Sequence, residues 1–203
     1  MPDIIEEAKR WMKERFAGDR TGHDFEHIMR VYHAAKELAE QEGGNPLIIE
    51  LAALFHDYPD EKLARDPSLA KKELRDWLTK ASLDDATIQK IMRAIDSVSY
   101  KKGKNPILAE TIEEKIVQDA DRLDALGAIG IIRAFTYGGS KARPPLDYHL
   151  ENPETTVAHF YDKLLLLKDK MHTKTAIKSA EKRHDYMLKF LLELEAEKVI
   201  KIK

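Results

Sequence analysis

The chain contains no cysteine in 203 residues, which excludes disulfides, thiolate metal sites and cysteine nucleophiles and leaves His, Asp and Glu as the only side chains able to hold a metal. That composition fits a reducing cytoplasm, the expected location. Apolar runs such as residues 164–167 fall far short of the roughly 20 needed to span a bilayer. The first residues, Met1-Pro-Asp-Ile-Ile-Glu-Glu, reach charge at once, so export through a signal peptide is not expected. Charge of either sign is also not in excess. Thirty-four Lys and Arg balance thirty-six Asp and Glu, for a formal charge of −2, so neither a nucleic acid nor a membrane is an expected partner. An anionic ligand would have to be held by a local cluster. Eight prolines and nine glycines rule out a fibrous or low-complexity chain, and 43% apolar residues suffice for a single core.

The prolines and glycines that are present mark the breaks, at 18 and 22, 43–46, 59, 67, 103–106, 138–139, 144–145 and 153. Between them the apolar period is helical. Ile48, Leu51 with Ala52, and Phe55 recur at one helix face, as do Ile88, Ile91 with Met92, and Ile95. No strand alternation stands out. The expected fold is therefore all-α, a single domain over 1–203 with about seven or eight helices, near 3–16, 24–42, 46–57, 68–80, 84–99, 107–136, 154–170 and 173–199. Residues 137–153 form the longest irregular piece, a length often functional. Gly127 and Gly130 fall inside the 107–136 segment, where each costs about 1 kcal/mol against Ala, and close helix–helix approach is the expected reason for them. The leucines after 163 and the apolar positions from Met171 on are expected to close the core, with a homodimer left open.

Three segments place ionisable groups among apolar neighbours. In the first, His23-Asp-Phe-Glu-His27-Ile, the two histidines stand at i, i+4 on one helix face. His27 continues into Val31 and Ala35, while His23 lies near the helix start as a supporting or capping group. In the second, Leu54-Phe55-His56-Asp57, an apolar helix finishes with an imidazole and a carboxylate just before Pro59. Burying that pair is costly unless the groups pair or bind a cation. In the third, Asp119, Asp121 and Asp124 interrupt an apolar helix; Asp119 and Asp121 lie about 200° apart around it, so only one of them can face a given site. Geometry alone leaves both alive.

The ordered set His27, His56-Asp57 and Ala120-Asp121-Arg122-Leu123 resembles the HD superfamily of metal-dependent phosphohydrolases, with the signature running from about 22 to 136. Phe135-Thr-Tyr-Gly-Gly, His159-Phe-Tyr-Asp-Lys-Leu and Glu181-Lys-Arg-His are similar to one bacterial branch of it. The resemblance implies that His27, His56, Asp57 and Asp121 ligate one divalent cation, and it selects Asp121 over Asp119. Two imidazoles with two carboxylates suit Mn, placed first, or Mg, Fe, Ni or Co. Water bound to such an ion becomes more acidic, its pKa falling toward about 7, and attacks phosphorus. Asp60 and Glu61, four and five residues beyond His56, match positions where related hydrolases carry acids that handle the proton. Arg20, Arg30, Arg122, Lys141 and Arg143 are candidate phosphate contacts, the last three foremost. The implied substrate is a small nucleotide or phosphorylated metabolite, and the branch points to nucleoside triphosphate pyrophosphohydrolysis.

The spacing of His23 and His27 is similar to that of a zincin helix, but Asp24 stands where that helix needs Glu. A regulator that binds a nucleotide without turnover would keep the pocket, yet it has no need of four ligands and the acids beyond them.

Overall fold

A computed structural model describes residues 3–19, 22–61, 63–99, 105–147 and 152–198. Among them it contains nine α-helices and one 3-10 helix, with no strand, so the chain is all-α as expected. None of these helices is long and apolar enough to cross a membrane. The chain packs as two compact units, the first comprising 1–19 with 23–121 and the second 20–22 with 122–203.

The first unit holds α1 (Ile4–Phe16), α2 (Phe25–Glu42), α3 (Pro46–Phe55), α4 (Pro67–Lys80), α5 (Asp85–Val98) and most of α6 (Ile112–Asp124). Short polar side chains start these helices. Asp3, Asp24, Asn45, Asp66 and Asp84 each accept a backbone N–H of the first turn, a contact worth about 1 kcal/mol. Proline at the first position of α3 and α4 supplies a helical φ where no N–H is needed. Helix α3 is apolar almost all round, with Ile48, Ile49, Leu51, Ala52, Ala53, Leu54 and Phe55 buried. Such a helix must lie inside, and it packs against α1, α2 and α5. Its end therefore delivers whatever follows Phe55 into the core.

The second unit is built from α7 (Gly127–Ser140), α8 (Thr156–Asp162), the 3-10 helix Leu164–Lys170 and α9 (Lys174–Lys198). Phe135, Phe160 and Phe190 meet at its centre with rings 6.0–6.2 Å apart. Three expectations are corrected by the structure. The segment 107–136 is not one helix: α6 ends at Asp124 and α7 begins at Gly127, whose φ of +71° belongs to glycine. A Cβ at Gly130 would stand 2.3 Å from the Ala125 carbonyl oxygen and one at Gly127 3.1 Å from Arg183 of α9, so the glycines serve the turn between helices as well as the close helix approach expected of them. The segment 154–170 likewise divides at Lys163, whose φ of −141° and ψ of −57° end α8. The irregular piece after Tyr137 starts later than expected, because α7 runs on to Ser140.

Candidate metal centre

Every residue of the centre belongs to the first unit. Asp24 caps α2 by accepting the N–H of His27 at 2.8 Å, which fixes the first turn and puts His27 on the buried face with Ile28 and Val31. His27 is fully buried. His56 follows α3 directly and keeps helical dihedrals, φ −56° and ψ −37°. Its Nδ1 lies 2.8 Å from the Ala53 carbonyl oxygen. A carbonyl only accepts, so Nδ1 carries the hydrogen, which leaves Nε2 as the nitrogen able to ligate a metal.

The Nε2 atoms of His27 and His56 lie 3.1 Å apart. Oδ2 of Asp57 is 3.3 Å from the first, and Oδ1 of Asp57 is 3.4 Å from the second. Oδ1 of Asp121, brought in by α6, completes the group at 3.6 and 3.7 Å. Ligand atoms held about 2.1 Å from one cation lie about 3.0–3.4 Å from one another, close to the spacings seen. Two carboxylates also supply the two negative charges that a divalent ion neutralises. The donor set fits such an ion.

The electrostatics point the same way. Burial pushes the Asp57 carboxyl up, but His56 beside it and hydrogen bonds from His23 and His27 outweigh that and hold it well below the usual carboxylate range. Asp57 is thus a buried anion. Asp119 is also fully buried, yet the close groups of metal-binding atoms among the described residues are His23, His27 with Asp57 and His27, His56 with Asp121. The structure brings Asp121 to the imidazoles.

The remaining candidates are placed as follows. Asp60 is half-buried in the tight turns after α3, its N–H bonded to the Asp57 carbonyl at 3.2 Å, and Glu61 is exposed. Arg30 is half-buried on α2. Arg122, Lys141 and Arg143 belong to the second unit. There Arg122 donates to the Lys170 carbonyl, Lys141 lies 5.6 Å over the Tyr137 ring, and the Arg143 N–H bonds the Gly138 carbonyl. Arg20 lies outside the described residues.

Sequence reasoning did not see what steadies the turn at His56. Tyr58 lies 4.5 Å from Trp11 and donates to Glu73 at 2.5 Å, while Phe55 packs edge-on against Trp11 and Trp77 at 5.6 and 5.1 Å. It also did not see the partner of His23, whose Nδ1 lies 2.9 Å from Oδ2 of Asp57. The only signal was the four-residue spacing from His27.

Comparison with known families matches residues 24–126 to the HD domain. The chain belongs to the HD domain family. HD domains bind divalent metals, and this HD domain has the His and Asp groups to do so. Its relatives include YpgQ of Bacillus subtilis, 38% identical over 94% of this chain and 91% of that one. YpgQ in complex with ADP superposes with a TM-score of 0.82, at 34% identity over 98% and 100% of the two chains. The Lin1889 protein of Listeria innocua is 46% identical over 98% and 97%, TM-score 0.79. An HD-superfamily hydrolase of Bacillus thuringiensis is 40% identical over 96% of each chain, TM-score 0.78.

Proposed function

We propose that this HD-domain protein is a metal-dependent phosphohydrolase acting on a nucleotide, and that it releases pyrophosphate from nucleoside triphosphates. The observation that carries the reading is the meeting of the His27 and His56 Nε2 atoms 3.1 Å apart, with carboxylate oxygens of Asp57 and Asp121 within 3.7 Å of them. The ADP bound by the related YpgQ supports a nucleotide, and the related hydrolase of B. thuringiensis supports hydrolysis. Those four residues hold the cation, Mn first among the candidates. When bound, the ion supplies Lewis acidity toward phosphoryl oxygens and makes water more acidic. Asp60 takes the proton of the attacking water at its carboxylate, with Glu61 as the second acid.

The test is to purify the untagged protein, measure its metal content, and assay phosphate and pyrophosphate release with Mn from nucleoside mono- and triphosphates, cyclic nucleotides and guanosine tetraphosphate. One metal per chain with pyrophosphate from triphosphates supports the proposal. His56→Ala then loses metal and turnover together, whereas Asp60→Asn keeps metal and loses turnover. Metal without release from any substrate favours a nucleotide-binding regulator, and no metal after reconstitution overturns the proposal.

A further inference from the structure

We infer that His23 is a positioning residue for the centre: it holds the Asp57 carboxylate through an Nδ1–H donor and is not itself a metal ligand. The inference rests on the reading that His27, His56, Asp57 and Asp121 bind the cation.

His23 precedes the Asp24 cap of α2, and its side chain is 26% exposed, at the rim of a group whose other imidazoles are buried. The 2.9 Å contact from its Nδ1 to Oδ2 of Asp57 is shorter than those made by His27 and His56, at 3.3 and 3.4 Å. An ionised carboxylate can only accept. As a ligand of the cation Asp57 is a carboxylate, so Nδ1 of His23, 2.9 Å from Oδ2, carries the hydrogen.

The role follows from what metal binding does to the other two rings. A nitrogen that gives its lone pair to a cation cannot donate a hydrogen bond. His56 already uses its Nδ1 on the Ala53 carbonyl, and the Nε2 atoms of both His27 and His56 are the ones that converge on the ion's position. Of the three imidazoles on Asp57, only His23 can therefore still donate to it when metal is present. Without that donor no imidazole holds the carboxylate by a hydrogen bond once the ion is bound, and its orientation as a ligand is less well fixed. Supporting contacts of this kind are typically worth about 10–100-fold in metal affinity.

The alternative geometry is real, because His23, His27 and Asp57 also form a close group in which Nδ1 of His23 would ligate directly. Amide variants separate the two. The side-chain nitrogen of Asn falls near Nδ1 of a histidine, and that of Gln near Nε2, so Asn restores the donor but offers no imidazole. The experiment measures Mn affinity of wild type, His23→Ala, His23→Asn and His23→Gln by chelator competition, with circular dichroism of each metal-free protein as the folding control. We expect His23→Ala and His23→Gln to bind Mn about 10–100-fold more weakly, and His23→Asn to stay close to wild type. Affinity unchanged in His23→Ala overturns the inference. Affinity lost equally in His23→Asn overturns it in favour of a ligand, and retention in His23→Gln alone overturns the choice of Nδ1. Wild type that binds no Mn at all would instead refute the metal reading on which the inference stands.

Discussion

Asp57→Asn keeps the shape of the side chain and removes its charge, which makes it the sharpest probe of the centre. Any ligand that binds only the folded state stabilises it by an amount set by its concentration relative to Kd, about 2.7 kcal/mol at one hundred times Kd. A chain of this length converts each kcal/mol into about 2–4 °C of Tm. Saturating Mn should therefore raise the wild-type Tm by about 5–11 °C. In the variant the amide oxygen can still accept from Nδ1 of His23, whose contact is 2.9 Å, so the metal-free proteins should melt within a few degrees of each other. What disappears is the response to metal. One of the two negative charges facing the imidazoles is gone, and a neutral amide oxygen holds a divalent cation more weakly than a carboxylate does. The assay is thermal unfolding with and without Mn, alongside Mg as a second ion. A full Mn-induced shift in Asp57→Asn would refute the assignment of Asp57 as a ligand.

Asp121→Asn should lower bound Mn to well under one per chain while Asp119→Asn keeps it, read by elemental analysis of the reconstituted proteins; the reverse result would move the ligand to Asp119. Acid stability should follow Asp57. Its folded pKa is depressed, so its contribution is complete above the unfolded value of about 3.9 and is lost as pH falls through the folded value. Metal-free wild type should thus lose more stability than Asp57→Asn on descending below about pH 4, and parallel denaturation curves across that range would contradict it. Gly127→Ala forces an alanine to φ +71° and brings its Cβ to 3.1 Å from Arg183, a cost of about 1–2 kcal/mol that should lower Tm by about 2–8 °C without changing metal stoichiometry.

Helix α3 was legible because its apolar residues crowd between Asn45-Pro46 and His56-Asp57, and a helix with no polar face has only one place to go. His27 was legible from the face it shares with Val31 and Ala35. Local pattern could not choose between Asp119 and Asp121, since both sit on one helix and only the position of α6 beside His27 and His56 decides. The break at Gly127 stayed hidden because Ala125 and Leu126 continue the apolar period straight through it. Leu126 ends up 1% exposed, buried by tertiary packing that a helical reading would also have given it. The contact of His23 with Asp57 spans 34 residues, and the hydrogen bond that sets the His56 tautomer goes to a backbone carbonyl. Neither leaves a mark on residue identity.

The aromatic cluster behind the His56 turn has an optical consequence. The chain has two tryptophans, and both Trp11 and Trp77 stand in that cluster, 6.0 Å apart and against Phe55. Intrinsic emission is therefore a label-free readout of the segment that carries His56 and Asp57. With no tryptophan in the second unit, tryptophan emission excited selectively over tyrosine follows the first unit alone while far-ultraviolet dichroism follows the helices of both, and any gap between the two melting curves measures how independently the units unfold.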